Sequence, residues 1–399
     1  MTSAEQRLKY VYRVVDQRAG VSQPPLLAVS IHRGVVPRNM LTDDLPRAED
    51  LSNYKLCEKG DIVLNRMRAF QGAIGISPMR GIVSPDYMVL RPFLAAEARY
   101  LHHLFRSHWF VGEMSARLRG IGGTENGSVR TPRINPEDLG DIRVSLPSLE
   151  EQRRIADFLD AETARLDHLI SLFTKQRDLV SERERAALSL TVGGALLAGR
   201  QVKSGVPWFP EAHPEALIVP LVRVLQLQRG VDLAESQRRP GQIPVFTTAG
   251  RAGWHDKAIA GGPGVVIGRY GSVGNVHWTN QPYWPHNTTL YVKNFNGNDE
   301  RYCYHLLRAL PYEMEQARAA VPGVNRNDLH KQLVPLLPRP LQLSASKQAD
   351  EQMSRLRATH TRIERAKALL TERRQALITA AVTGQFDVST ASGRGVDAP

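Results

Sequence analysis

Residues 175–194 read KQRDLVSERERAALSLTVGG, and residues 365–384 read RAKALLTERRQALITAAVTG. The two stretches align without a gap at an offset of 190 residues. Seven-residue spacing of apolar positions is typical of long helices that pair along one stripe. The sequence therefore predicts two long helices in matching register, packed through Leu159, Leu166, Phe173 and Val180 in the first and Leu356, Ile363, Leu370 and Leu377 in the second.

The regions before the two helices also correspond, although more loosely. RVVDQRAG ending at Gly20 aligns with RVLQLQRG ending at Gly230, and LeuPro at 146–147 aligns with LeuPro at 337–338. Internal repeats of this kind indicate a duplicated domain. We predict a globular domain (1–147), a helix (148–193), a linker (194–214), a second globular domain (215–340), a second helix (341–388) and a disordered tail (389–399).

Local signals set the helix ends. Ser148 precedes two glutamates, as expected of a capping hydroxyl followed by acids in the first turn. Glycines at 193 and 194 should end the first helix, and the second should run from Ser344 to Val382 and end in the same manner. In the linker, Trp208 is the candidate buried anchor.

Each globular domain is predicted to be α+β, a mixed β-sheet with short helices. Short apolar runs bounded by Gly, Pro and Asn read as strands, and the apolar spacing changes to three and four in two places. The predicted strands are 61–64, 81–90, 142–146, 264–267 and 289–292, and the predicted short helices are 95–106 and 300–309.

A small domain cannot cover so long a stripe, so each long helix should pack against the other. Both helices follow their own domain, and an antiparallel pair would therefore relate the two domains by an approximate twofold axis. From periodicity alone, a dimerisation coiled coil between two chains remains the alternative.

Composition narrows the class of partner. The net charge is +12, which favours a polyanion such as nucleic acid or an anionic membrane face. Only ten of the 52 basic residues are Lys, and arginine suits phosphate and guanine contacts, although a GC-rich genome gives the same skew. Two cysteines, no long apolar run and no apolar leader lead us to expect a cytoplasmic protein without disulfides.

Catalytic patterns are missing from the sequence. None of the ten lysines has an acid two positions before it, as the metal-dependent nuclease motif requires. The glycine-rich stretch 261–268 lacks the following Lys and Ser or Thr of a phosphate-binding loop, and SerProAspTyr at 84–87 reads as a turn. His102 and His103 are adjacent and point apart on a helix, so we expect no metal site.

Three segments carry a family resemblance. LeuProSerLeuGluGluGlnArgArgIleAla at 146–156 resembles the helix junction of the specificity subunits of type I restriction-modification enzymes. The linker SerGlyValProTrp at 204–208 and the closing AlaValThrGlyGlnPheAspVal at 381–388 are similar to other parts of that family. The second junction departs from the pattern, because LeuProArgProLeuGln at 337–342 lacks the GluGluGln of 150–152.

The resemblance implies a non-catalytic subunit. Its two target-recognition domains would each read one half of a split DNA sequence, held apart by the antiparallel helices. Two methyltransferase subunits and the restriction (translocase) subunits would dock on it, and those partners would bind AdoMet, ATP and Mg²⁺. The departure at the second junction raises the question of whether both docking surfaces are equivalent.

Candidate DNA-binding residues lie on polar, glycine-flanked turns. Such residues contact phosphates more often than base edges, and phosphate contacts position without specifying. Arg66 and Arg269 occupy matching positions, and we expect them to support the structure that the two domains share. The candidates are Arg66, Arg68, Gln71, Thr124, Asn126, Ser128 and Arg130 in the first domain, and Arg269, Tyr270, Asn275, His286, Asn287, Asn325 and Arg326 in the second.

Two other classes of function stay open at this point. One is a solitary modification enzyme with its own active site, which would bind AdoMet. The other is a coiled-coil scaffold without sequence-specific DNA contacts.

Overall fold

The computed structural model describes residues 5–21, 24–31, 33–42, 50–118, 133–197, 201–271, 273–312 and 323–390. The chain divides into two compact units: unit 1 comprises Met1–Leu172 and Ala366–Pro399, and unit 2 comprises Phe173–Arg365. The division falls within both long helices. Each unit therefore contains one globular domain and a segment of each long helix.

Unit 1 contains short strands and helices that precede the first long helix. Three-residue 3₁₀ helices are present at Leu8–Tyr10, Arg38–Met40, Ala69–Gln71 and Val388–Thr390. The strands are β1 (Glu5–Arg7), β2 (Tyr12–Val15), β3 (Leu27–Ser30), β4 (Gly34–Pro37), β5 (Lys55–Cys57), β6 (Ile62–Asn65), β7 (Ile74–Ile76), β8 (Gly81–Val83), β9 (Tyr87–Pro92) and β10 (Arg143–Ser145). The helices are α1 (Ala98–Arg106), α2 (His108–Ser115), α3 (Pro136–Gly140) and α4 (Leu149–Val192), the last shared with unit 2.

Unit 2 has a similar composition, with a 3₁₀ helix at Glu235–Gln237. Its strands are β11 (Val202–Val206), β12 (Phe209–Ala212), β13 (Leu217–Pro220), β14 (Gln226–Arg229), β15 (Ile243–Thr247), β16 (Gly250–His255), β17 (Gly264–Gly268), β18 (Val276–Thr279), β19 (Trp284–Pro285), β20 (Thr289–Asn294) and β21 (Leu333–Leu336). Its helices are α5 (Leu221–Val224), α6 (Glu300–Arg308), α7 (Arg326–Lys331) and α8 (Arg339–Val382), the last shared with unit 1.

The central sheet has the same topology in both units. Its strand order is β2-β9-β6-β7 in unit 1 and β14-β20-β17-β18 in unit 2, antiparallel throughout. The main core of each unit packs this sheet against a short helix, α1 in unit 1 and α6 in unit 2. The predicted α+β class and the predicted duplication are therefore confirmed.

Each long helix has 44 residues, about 66 Å at 1.5 Å per residue. The side chain of Ser148 caps α4 by accepting a hydrogen bond from the amide of Glu151. Gly194 and Gly384 both have a φ of 73°, the left-handed conformation that ends a helix, as predicted. Helix α8 begins at Arg339, before the predicted segment boundary at 341 and before Ser344, because Pro340 lies in the first turn, where a missing amide hydrogen costs nothing.

The two long helices run antiparallel within each unit. In unit 1, the N-terminal part of α4 meets the C-terminal part of α8, where Asp167 lies 2.9 Å from Arg374. In unit 2, the C-terminal part of α4 meets the N-terminal part of α8, where the hydroxyl of Thr191 donates to Gln352. Of the eight predicted packing residues, Leu159, Leu166 and Ile363 are buried and the other five are half-buried.

The globular domains are fastened to the long helices by matched contacts. In unit 1, the Gln152 side chain accepts from the amide of Glu97, and the hydroxyl of Tyr100 donates to Val382 at the end of α8. In unit 2, Gln342 accepts from the amide of Asp299, and the hydroxyl of Tyr302 lies 3.0 Å from the carbonyl oxygen of Val192 at the end of α4. Gln342 is thus the counterpart of Gln152. The glutamine is therefore retained at the second junction, whereas Pro340 and Leu341 stand in place of the two glutamates.

A second matched contact is an acid on each long helix that binds an Arg and a His of the short helix. Asp160 binds Arg99 and His103 in unit 1. Asp350 binds Arg301 and His305 in unit 2. Burial would raise the pKa of each carboxyl group, but the bonds from its two partners outweigh burial and lower the pKa.

The structure differs from the sequence predictions in two local details. The single strand predicted at 81–90 is two strands, because residues 84–86 form a turn in which the amide of Tyr87 donates to the carbonyl of Ser84. The predicted linker contains the hairpin β11–β12, whose buried side chains are Val206, Phe209 and Ala212. Trp208 is half-buried and packs against the core of unit 2. Residues 391–399 of the predicted tail lie outside the described part of the chain. In that part, no helix is both long and apolar enough to cross a membrane.

Replacing Asp350 by Asn should lower the free energy of unfolding by about 1–2 kcal/mol at pH 7, because the charge-assisted bonds from Arg301 and His305 weaken. Bonds to charged groups contribute roughly 1.5–3 kcal/mol, and partial exposure of the carboxylate reduces that. Asp178→Asn, at an exposed pair with Arg177, is the matched control and should leave the free energy of unfolding nearly unchanged. Urea unfolding followed by fluorescence measures both.

The difference between these variants should depend on pH. The pKa of Asp350 is lower in the folded than in the unfolded chain, so its contribution is present above the ordinary value and disappears as the pH falls through the folded value. The two variants should therefore converge in acid. An equal loss of unfolding free energy in both variants at pH 7 would contradict the stabilising role assigned to Asp350.

Candidate nucleic-acid interface

The predicted residues Arg66, Arg68 and Gln71 follow strand β6 and differ in their surroundings. Arg66 is half-buried and donates to the carbonyl of Ile134 at 3.0 Å and to the side chain of Asn135 at 2.7 Å. Arg68 and Gln71 are exposed around a turn that closes at Gly72, where φ is 88°. Arg66 is thus engaged within the domain, whereas the other two side chains face solvent.

A cleft of about 790 Å³ opens beside Arg68. Residues 26–31 line one part of the cleft, and polar residues elsewhere in its lining are Arg38, Tyr54, Asn65, Arg68, Ser84 and Tyr87. Burial raises the pKa of Tyr87, and the nearby charges of Arg38 and Arg68 oppose that rise. Two guanidinium groups therefore lie close to one phenol.

The chemistry of this cleft suits an anionic, hydrogen-bonding ligand. Guanidinium groups bind phosphate and guanine bidentately, and tyrosine and asparagine can bond to base edges or to the backbone. The Nε of Arg38 is buried and has no hydrogen-bond partner among the described residues. One donor of a residue that lines the cleft is thus left without a partner within the described residues.

The other four candidates of the first domain belong to residues 119–132, outside the described part of the chain. They are Thr124, Asn126, Ser128 and Arg130.

Arg269 of unit 2 occupies the position that the sequence matched to Arg66. The carbonyl of Arg66 accepts from the amide of Ile134, and that of Arg269 accepts from the amide of Val324, so the backbone connection is the same. The side chains differ: the guanidinium of Arg269 lies 4.6 Å from the ring centroid of Tyr270, and its Nη1 has no hydrogen-bond partner among the described residues.

His286 and Asn287 converge on Asp232. The side-chain amide of Asn287 donates to Asp232 at 2.6 Å, and Nε2 of His286 lies 3.4 Å from the same carboxylate oxygen. These contacts tie the loop before β20 to the segment after β14. Both side chains are half-buried, so they order the surface more than they extend from it.

The remaining candidates of unit 2 are dispersed. Asn325 caps helix α7 by accepting from the amide of Asn327, which is a structural role. Arg326 is exposed in the first turn of that helix. Asn275 is exposed and borders a separate cavity of about 580 Å³ that Arg308 and Tyr312 also line.

Sequence reasoning missed Arg38, Tyr54 and Tyr87, which border the unit 1 cleft. Tyr87 reaches it because β9 pairs with β6 in a register that places Tyr87 opposite Asn65. No local signal in the sequence specifies that register. Among the described residues, no group of three or more His, Cys, Asp and Glu side chains could hold a metal ion.

Comparison with known proteins agrees with this architecture. Residues 45–171 match the profile of a family described as the type I restriction modification DNA specificity domain. The type I restriction enzyme MjaVIII specificity subunit of Methanocaldococcus jannaschii is 28% identical over 146 residues, which are 35% of this chain and 32% of that protein. The match thus spans about a third of that relative.

A solved structure shows the same fold. One match is a chain from a structure that is described as the basis of complex assembly and conformational transition of the type I R-M system. Its TM-score is 0.69 at 19% identity, and the match covers 96% of this chain and 98% of that one. The HsdS subunit from Thermoanaerobacter tengcongensis matches with a TM-score of 0.47 at 19% identity, over 96% and 97% of the two chains.

The fold is that of two α+β domains joined by two long antiparallel helices. Residues 45–171 are similar to the type I restriction modification DNA specificity domain, and the resemblance to type I specificity subunits is confirmed. The matched residues include Arg66, Arg68 and Gln71 and all four candidates at 119–132.

Substitution should separate the two roles of neighbouring arginines. Arg66→Ala should lower the melting temperature, because the bonds to Ile134 and Asn135 are lost. Arg68→Ala should leave the melting temperature unchanged and weaken binding to duplex DNA, because Arg68 is exposed beside the cleft. Thermal unfolding and fluorescence anisotropy with a labelled duplex measure both. If Arg68→Ala lowered the melting temperature and Arg66→Ala only weakened DNA binding, the two roles would have to be exchanged.

Proposed function

We propose that this chain is the DNA sequence-specificity subunit of a cytoplasmic type I restriction-modification enzyme. Each globular domain reads one half of a bipartite target in double-stranded DNA. The chain is not itself catalytic, and it docks two methyltransferase subunits and the restriction subunits.

The observation that carries the proposal is the duplicated attachment of two domains to one pair of helices. The same Gln, Tyr and Asp contacts fasten both domains, at positions 190 residues apart on the helices. The matching strand pairs, in contrast, carry different side chains: Asn65 faces Tyr87 in unit 1, and Gly268 faces Thr289 in unit 2. A common frame with different surfaces suits the recognition of two different half-sequences.

The proposed chemistry belongs to the partners. AdoMet is bound by the methyltransferase subunits, and ATP and Mg²⁺ by the restriction subunits. The two ends of the helix pair are the proposed docking regions. Pro340 and Leu341 replace two glutamates at the second junction, so the two docking regions differ in charge.

In this proposal, the paired helices set the unspecified gap between the half-sequences. Two readers on a rigid spacer contact one face of the duplex at a fixed separation, as dimeric DNA-binding proteins do. Spacer length then follows helix length at 1.5 Å per residue.

Lengthening both helices should lengthen the gap. Seven residues inserted after Ser181, with seven more after Thr361 on the antiparallel partner, preserve the seven-residue register and add about 10.5 Å, or roughly three base pairs. Mapping methylated adenines in cells that co-express the methyltransferase should show a longer gap between unchanged half-sequences. As a control, seven residues added after Gly393 should change neither the gap nor the half-sequences. Altered half-sequences at a constant gap would contradict the role of the helices as a spacer.

Arg130→Ala should relax one half-sequence alone. A bidentate contact to guanine is worth roughly 1–3 kcal/mol of discrimination, and its loss affects only the position that it reads. The same methylation map measures this effect. Equal loss on all sequences would assign Arg130 to a phosphate contact instead.

The two other classes make different predictions. A solitary modification enzyme would crosslink to AdoMet as the purified chain, without partners. If the chain were a scaffold without sequence-specific DNA contacts, an unlabelled random duplex would compete for binding as effectively as the mapped target sequence.

A further inference from the structure

The two long helices differ in charge although they are copies of each other. Helix α4 contains nine acidic and seven basic residues, whereas α8 contains four acidic and nine basic residues. The duplication therefore retained the packing positions and changed the solvent-facing ones. The excess of positive charge on α8 requires a physical explanation.

Four of the cations on α8 lie on one face, within unit 2. At 100° per residue, Lys347, Arg355, Arg362 and Arg365 fall within an arc of about 80°, and all four are exposed. They lie on the opposite side of α8 from the half-buried and buried residues that meet α4, such as Leu356 and Ile363. We call these four residues the basic stripe, which extends about 27 Å along the helix axis.

The matching positions on α4 form no such stripe. They are Asp157, Arg165, Leu172 and Lys175, so one cation is replaced by an acid and another by an apolar residue. Arg165 is neutralised by Glu162, 2.6 Å away. In contrast, no residue of the basic stripe takes part in an ion pair within the described residues.

The same arc contains one exposed acid, Glu351, four residues from both Lys347 and Arg355, so the four cations leave a net charge of +3 on this face. A face with such an excess of like charge is unfavourable for the helix alone. Like charges three or four residues apart, as at Arg362 and Arg365, destabilise a helix, and repulsion between more distant cations is weakened by salt but not removed. A polyanion bound along the stripe removes this cost by replacing small counterions. The arrangement is thus favourable when a long anionic ligand is present.

We propose that the basic stripe binds the sugar–phosphate backbone of duplex DNA without reading its sequence. This inference rests on the proposed function, which brings duplex DNA to this chain. The 27 Å of the stripe correspond to about eight base pairs at 3.4 Å each. Phosphate contacts carry no sequence information, as the unspecified gap of a bipartite target requires.

A charge-matched pair of variants tests the stripe on the full-length chain. The stripe variant is Arg355→Gln, Arg362→Gln and Arg365→Gln. The control variant is Arg165→Gln, Lys175→Gln and Arg183→Gln on α4, all at exposed positions. Both remove three positive charges from the chain, so net charge alone cannot distinguish them.

The probe is a fluorescein-labelled duplex of 30 base pairs and arbitrary sequence, titrated from 50 to 200 mM KCl. Each phosphate contact contributes about 0.9 to the slope of log K against log salt, so the stripe variant should lose about 2.7 from that slope. The slope of the control variant should fall by much less. Replacing the three arginines by Lys retains the charges and should restore the slope.

Equal slopes in the stripe and control variants would overturn the inference. So would an unchanged slope accompanied by loss of a protein partner, since the stripe would then bind an acidic protein surface. Either result leaves the proposed function intact if the methylation map still shows a bipartite target. A wild-type chain that binds no duplex under these conditions would instead contradict the proposed function.

Discussion

A 44-residue helix with an apolar stripe requires a partner of similar length, and this requirement governs the structure. Neither globular domain covers such a surface, so α4 and α8 cover each other in antiparallel orientation within each unit. The pairing determines where each domain is fastened: the short helix of a domain binds its own long helix through an acid and the end of the other long helix through a tyrosine. The tyrosine contact of each domain, which reaches the other long helix, therefore depends on that pairing.

Much of this frame could be predicted from the sequence, because its signals are local or repeated. The 190-residue repeat, the Ser148 cap and the two terminal glycines each specify a helix position through short-range chemistry. The start of α8 was missed because Pro340 was not recognised as a first-turn residue. The unit 1 cleft could not be predicted, since it arises where strand pairing brings Tyr87 beside Asn65 and Arg38 close to both.

The divergence between the two units is as informative as their similarity. Residues that fasten the domains are the same in kind, while residues on the central strands and on the outer faces of the long helices have changed. The binding functions of the candidate residues stay predictions, and those at 119–132 lie outside the described part of the chain. Conserved attachment with altered surfaces is the pattern expected when duplicated domains acquire different ligands.

The central claim is that α4 and α8 of the same chain pair with each other. The side chains of Asp167 and Arg374 meet at 2.9 Å and are both accessible to solvent, and both native cysteines are buried. With cysteine at 167 and 374, a short bismaleimide should link the two helices within a monomer, and a mixture of the two single-cysteine chains should stay unlinked. Linked dimers from that mixture would show that the helices pair between chains and would contradict the account.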